Sequence, residues 1–169
     1  MAAFRDEDTE RLDFRLLQAS PVALYFKRSV LDADLKWLAG ERYIVDRVDA
    51  SSWKSRADAI ASIAAQLKFP DYFGGNLSAL TDCLRDLEIP EAGGRCFVFE
   101  RFDAAMRAVG ESAWSILDVF ACQSRELLLF GGRVIVAVQS DDPRLELKPV
   151  GALAPWWNPR EWMNKDRGL

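Results

Sequence analysis

The sequence predicts an α/β protein, a small parallel β-sheet packed against helices. Three observations carry this. Two unbroken apolar runs, Cys96-Phe97-Val98-Phe99 and Val134-Ile135-Val136-Ala137-Val138, read as strands covered on both faces. Apolar residues at helical spacing lie between them, most clearly Ala113, Ile116, Leu117, Phe120 and Ala121. Strands and helices alternate along the chain, which calls for right-handed crossovers and hence parallel pairing.

Taken in order, residues 1–20 are charged and mixed, and Arg11-Leu12-Asp13-Phe14-Arg15-Leu16-Leu17 predicts a helical turn or two. Val22-Ala23-Leu24-Tyr25-Phe26 follows Pro21 as a short buried strand. Leu31, Leu35 and Leu38 predict a helix over 30–39, with Gly40 as its C-terminal cap. Residues 43–49 read as a strand. Ser55-Arg56-Ala57-Asp58 opens a helix with Ile60, Ile63, Ala64 and Leu67 on one face, which Pro70 stops. Residues 88–94 read as a loop. Phe102, Ala105, Met106 and Val109 make a short helix ended by Gly110, and Gly131-Gly132 breaks the long helix before the last apolar strand. In the final thirty residues, Pro149, Pro155 and Pro159 oppose long helices. There Trp156, Trp157 and Trp162 either pack over a sheet edge or helix or form an exposed patch for a partner.

Composition narrows the function. A net charge of −4 argues against nucleic acid as the main ligand, which would want clustered Lys and Arg, and suits a basic protein partner. With no histidine, Ser-His and Cys-His dyads and His-ligated metal sites are excluded within the chain. Cys83, Cys96 and Cys122 are scattered, without CxxC spacing, and read as reduced thiols of a cytoplasmic protein. Cys122 lacks a base to activate it. Asp46, Asp49 and Asp58 lack calcium-loop spacing and read as surface charges. The glycine pairs lack GxGxxG or GxxxxGK context. No cofactor and no metal are expected. Neither a signal peptide nor an apolar stretch near the ~20 residues of a membrane helix is evident.

One stretch organises the rest: Phe69-Pro70-Asp71-Tyr72-Phe73-Gly74-Gly75-Asn76-Leu77-Ser78-Ala79-Leu80-Thr81-Asp82-Cys83-Leu84. Asn76 is placed as an N-cap. Leu77, Leu80, Leu84 and Leu87 mark the buried face, and Asp82 falls off it toward solvent. A rigid acidic helix with a ring beside it reads as a binding face rather than a catalytic pocket.

This stretch resembles the signature of the barstar family, intracellular inhibitors of secreted ribonucleases related to barnase. Pro70, Asp71, Tyr72, Phe73, Gly74, Asn76, Leu77, Ala79, Leu80, Asp82, Cys83 and Leu84 match the family pattern. The similarity continues more weakly from about Tyr43 to about Gln139. It divides the chain into an N-terminal strand-helix extension (1–40) packing on the core, a barstar-like domain (41–139) and a Trp-rich tail (140–169).

The resemblance implies a non-enzymatic inhibitor, an immunity protein that blocks a basic ribonuclease or nuclease-type toxin. Asp82 would replace an RNA phosphate. Tyr72 would pack on the enzyme face, besides lining its own turn. Asn76 would touch the partner besides capping the helix, and Gly74 would set the turn and permit close approach. Leu77, Ser78, Ala79, Thr81, Arg85, Cys122 and Glu126 complete the implied partner surface. Ser78 departs from a family Asp, Thr81 stands where barstar itself has Trp, and Arg85 reverses the local polarity. Cys122 aligns with a Glu of barstar, for which Glu126 partly compensates. The face is therefore less acidic than barstar's, and a toxin other than barnase is the simpler expectation. The alternative is an interaction or regulatory module without a nuclease partner, favoured by the weakened acidic face and the Trp-rich tail.

Overall fold

Side chains alternate along a strand, so a parallel sheet with apolar residues at successive positions needs cover on both faces. The computed structural model, which describes residues 3–162, supplies that cover from two different parts of the chain. The strands are β1 (Val22–Tyr25), β2 (Tyr43–Asp49), β3 (Gly94–Glu100), β4 (Val134–Gln139) and β5 (Trp156–Trp157). They form one five-stranded sheet in the order β2-β3-β4-β1-β5, and every pairing is parallel.

The helices are α1 (Leu12–Leu17), α2 (Arg28–Gly40), α3 (Arg56–Leu67), α4 (Leu77–Arg85), α5 (Phe102–Val109), α6 (Glu111–Leu129) and α7 (Pro159–Trp162). On one face, Val22, Leu24, Phe97, Phe99, Val134, Val136 and Val138 meet Ile60 and Ile63 of α3, Leu80 and Leu84 of α4, Phe102 of α5 and Phe120 of α6. The Phe97, Phe99 and Phe120 rings pack edge-on at about 5 Å, as aromatic quadrupoles prefer. On the other face, Ala23, Tyr25, Cys96, Val98, Ile135 and Ala137 meet Leu16 and Leu17 of α1 and Leu31, Leu35 and Leu38 of α2. The first forty residues thus furnish α1 and α2 to that face, and β1 inserts beside β4.

Buried polar groups fasten this layer. Asp13 is fully buried and accepts from the Tyr43 hydroxyl at 2.9 Å and from Arg11 at 3.1 Å. Asp34 on α2 accepts from the Tyr25 hydroxyl and from Asn158 Nδ2, both at 2.9 Å, and pairs with Arg160. The buried Glu161 carboxylate accepts the backbone N–H groups of Phe26 and Lys27 just past β1. The tail is therefore hooked onto the elements it follows by more than a hundred residues.

Four readings of the sequence change. Asp46 is not a surface charge: it is buried and accepts from Arg95 Nε at 2.7 Å. Asp49 fits the surface reading better, paired with Arg101; burial pulls its carboxyl up, but hydrogen bonds from Arg101 and Ser51 outweigh this and hold it below the usual range. Gly40 remains inside α2, and the left-handed residue beyond the helix is Arg42, at φ +66°. Gly94 belongs to β3 rather than to the loop, pairing with Tyr43, and is glycine because a Cβ there would lie 2.3 Å from the Arg133 carbonyl oxygen. Trp156 and Trp157 do pack on the core, one on each face, but from within the sheet rather than from above its edge. They are the edge strand, pairing with Ala23 and Leu24.

Candidate functional site

The organising stretch folds as local chemistry dictates. Lys68 turns left-handed to end α3, and the Phe73 N–H donates to the Pro70 carbonyl to close the turn. Phe73 packs on Phe69 with ring centres 5.1 Å apart. Gly75 carries the positive φ, +66°, that the entry into α4 requires. At Gly74 a Cβ would find only ordinary contacts, the nearest 3.5 Å away at Ala79, so the residue that demands glycine here is Gly75. Asn76 Oδ1 accepts the Ala79 N–H at 2.9 Å, which makes Asn76 the N-cap.

Helix α4 then sorts its residues. Leu80 and Leu84 are fully buried, while Leu77 and Leu87 are half-buried against the same core; Leu87 lies just past the helix end. Asp82 points away, its side chain 75% exposed. Ser78 is exposed and Ala79 half-buried. The Thr81 hydroxyl donates to the Leu77 carbonyl at 3.0 Å, so it is turned back on its own helix. Tyr72 stands 82% exposed. Together with Pro70, Cys83 and Leu87 it lines a shallow cleft of about 120 Å³ on the flank of the helix. Burial, then the charges of Asp86 and Asp82, push the Cys83 thiol up.

Helix α6 packs against α4 and contributes the rest. Arg85 Nη2 donates to Glu126 Oε2 at 3.3 Å, and Arg85 Nη1 stands 3.9 Å from Asp82 Oδ1. The face is a row of charges: carboxylate, guanidinium, carboxylate. Sequence spacing gives Glu126 as added acidity; in space its charge is shared with Arg85. Nothing local could reveal this, since the pair is 41 residues apart. Cys122, one turn before Glu126, is exposed. Partial burial and Asp118 push its thiol up, against the pull of Arg125, whose guanidinium also donates to the Gly151 carbonyl. It is therefore poorly placed to act as a thiolate.

Elsewhere, a wider cleft of about 780 Å³ lies among Arg5, Arg11, Ile89, Leu127 and Arg133, and it shares no residue with the motif turn or α4. Among the described residues no group of three or more His, Cys, Asp or Glu is placed to hold a metal ion. No helix among them is long and apolar enough to cross a membrane.

Sheet, helices and exposed charge together define a three-layer α/β protein that presents a capped helix with an exposed carboxylate at its surface. The chain belongs to the barstar family: the family model described as Barstar (barnase inhibitor) matches residues 43–139. That span opens on the first residue of β2 and closes on the last of β4, so β1, β5, α1, α2 and α7 all lie outside it. No curated protein matches the sequence. Among solved structures, a Walker-type ATPase of Pyrococcus abyssi is similar, with a TM-score of 0.50 and 13% identity over 90% of this chain and 52% of that one. The chain thus spans about half the length of that protein, and the likeness is one of fold alone.

Proposed function

We propose that this protein is an inhibitor of a ribonuclease-type toxin, acting in the cytoplasm as an immunity protein. Asp82 would enter the enzyme's active site and occupy the position of an RNA phosphate. The observation that carries the reading is the state of Asp82. It sits on a capped helix whose other face is locked into the core, its carboxylate is exposed, and its ion-pair partner Arg85 is loosely placed at 3.9 Å. A ribonuclease must hold a phosphodiester with cationic side chains. A carboxylate presented on a stiff support can take several charge-assisted hydrogen bonds from them with little to reorganise. Tyr72, exposed on the flank of the same helix, supplies apolar area at small entropic cost. Membership of a family described as barnase inhibitors supports the class of partner. The free thiols suit a reducing compartment.

The test is inhibition of RNA cleavage by a basic ribonuclease captured with this chain from its native host. Stoichiometric loss of cleavage is expected; unchanged cleavage at excess inhibitor would overturn the reading. One observation favours a second reading, an interaction module without a nuclease partner: Arg85 neutralises part of the acidic face. Capture of partners from the native host separates the two, since a nuclease should dominate under the first.

A further inference from the structure

The charge row on α4 and α6 constrains the partner more tightly than its net sign does. Arg85 is held from both sides, by Glu126 at 3.3 Å and by Asp82 at 3.9 Å, and half of its side chain faces solvent. Any surface that brings cations to Asp82 brings them within a few ångströms of the Arg85 guanidinium as well. In the partly dehydrated setting of an interface, like charges at that range repel strongly. Arg85 cannot shed its proton to relieve this. Nor can it swing clear without abandoning Glu126, which would leave a second carboxylate to be desolvated without its partner.

We propose that Arg85 is the specificity-determining residue of this face. It selects against a ribonuclease whose substrate-binding surface is cationic throughout, and for one that sets a carboxylate beside its phosphate-binding cations. The inference rests on the inhibitor reading above. The partner surface it describes alternates in sign, positive at Asp82, negative at Arg85 and positive at Glu126. Specificity of this kind comes from a repulsive element that the right partner alone relieves.

The experiment uses catalytically inactive barnase as the cationic probe, with the full chain as wild type, Arg85→Ala and Asp82→Ala. Arg85→Ala should bind barnase at least tenfold tighter than wild type, and the gain should shrink as salt screens the charges. A library of inactive barnase with residues around its active-site rim varied among Glu, Asp, Lys and Ala is then selected on wild type and on Arg85→Ala. Wild type should enrich an acidic rim residue that Arg85→Ala does not. Equal affinities of wild type and Arg85→Ala, no binding by either, or no acidic enrichment would each overturn the proposal. If Arg85→Ala gains nothing while Asp82→Ala still weakens binding, the specificity role fails and the inhibitor reading stands. If Asp82→Ala is also without effect against the acidic-rim variants that wild type selects, the inhibitor reading fails.

Discussion

Asn158 Nδ2 donates to Asp34 Oδ2 at 2.9 Å across 124 residues of chain, and the same carboxylate oxygen accepts the Tyr25 hydroxyl. One buried acid therefore joins the tail, α2 and β1. Replacing Asp34 with Ala removes the acceptor that both donors share in the core, at a cost of about 1–3 kcal/mol. The denaturant midpoint of Asp34→Ala should fall accordingly with the m-value unchanged, as urea unfolding followed by circular dichroism would show. A midpoint equal to wild type would mean that the tail is not fastened here.

Alkaline pH should destabilise the fold. Burial pushes the Cys96 thiol up, reinforced by Asp46 and Asp34; burial and Asp34 raise the Tyr25 phenol, and burial and Asp13 raise Tyr43. A group whose folded pKa is raised adds stability that is complete below its unfolded pKa and is lost as pH climbs toward the folded value. The unfolded values are about 8.5 for a thiol and about 10 for a phenol. Urea midpoints should thus begin to fall near pH 8.5 and fall faster above about 10. Tyr43→Phe should remove one proton from that slope. Midpoints flat to pH 11 would contradict this.

Gly94 should not accept a methyl group. An added Cβ would sit 2.3 Å from the Arg133 carbonyl oxygen and 2.5 Å from Tyr43 Cε1, where β3 begins its pairing with β2. Overpacking of this kind costs about 1–3 kcal/mol. Gly94→Ala should lose that much by equilibrium unfolding, whereas Gly74→Ala, with open contacts, should lose little.

Asn76 separates a cap from a contact. Asn76→Ala should cost about 0.5–2 kcal/mol of stability through the lost bond to the Ala79 N–H. Asn76→Ser should restore most of that stability, because serine also caps. A binding defect that persists in Asn76→Ser would assign the amide a direct role at the partner surface. Recovery of binding together with stability would leave it as a cap.

The core was legible because its signals are local. The apolar runs of β3 and β4 and the stripes of α3 and α6 announce burial residue by residue, and Ser55, Asn76 and Gly110 mark helix boundaries by their own chemistry. Edges and fastenings were not legible, because they depend on partners distant in the chain. Trp156-Trp157 is too short to read as a strand until β1 offers it an edge. Asp46 looks like any strand-face acid until Arg95 of the next strand is brought to it. At the candidate site, the outward bearing of Asp82 follows from helical spacing. The neutralisation of Glu126 by Arg85 needed α4 and α6 to be set side by side.

The central claim is most directly tested by the dissociation rate of the complex between this chain and its cognate nuclease, with Asp82 and with Ala in its place. Asp82 is exposed and packs nothing, so Asp82→Ala should fold with unchanged stability. Truncating one partner of a desolvated charge pair costs about 2–5 kcal/mol, a range drawn in part from the barstar family itself. The complex should then dissociate about thirtyfold faster or more. An unchanged dissociation rate, from a variant shown to be folded, would contradict the idea that this carboxylate stands in for phosphate.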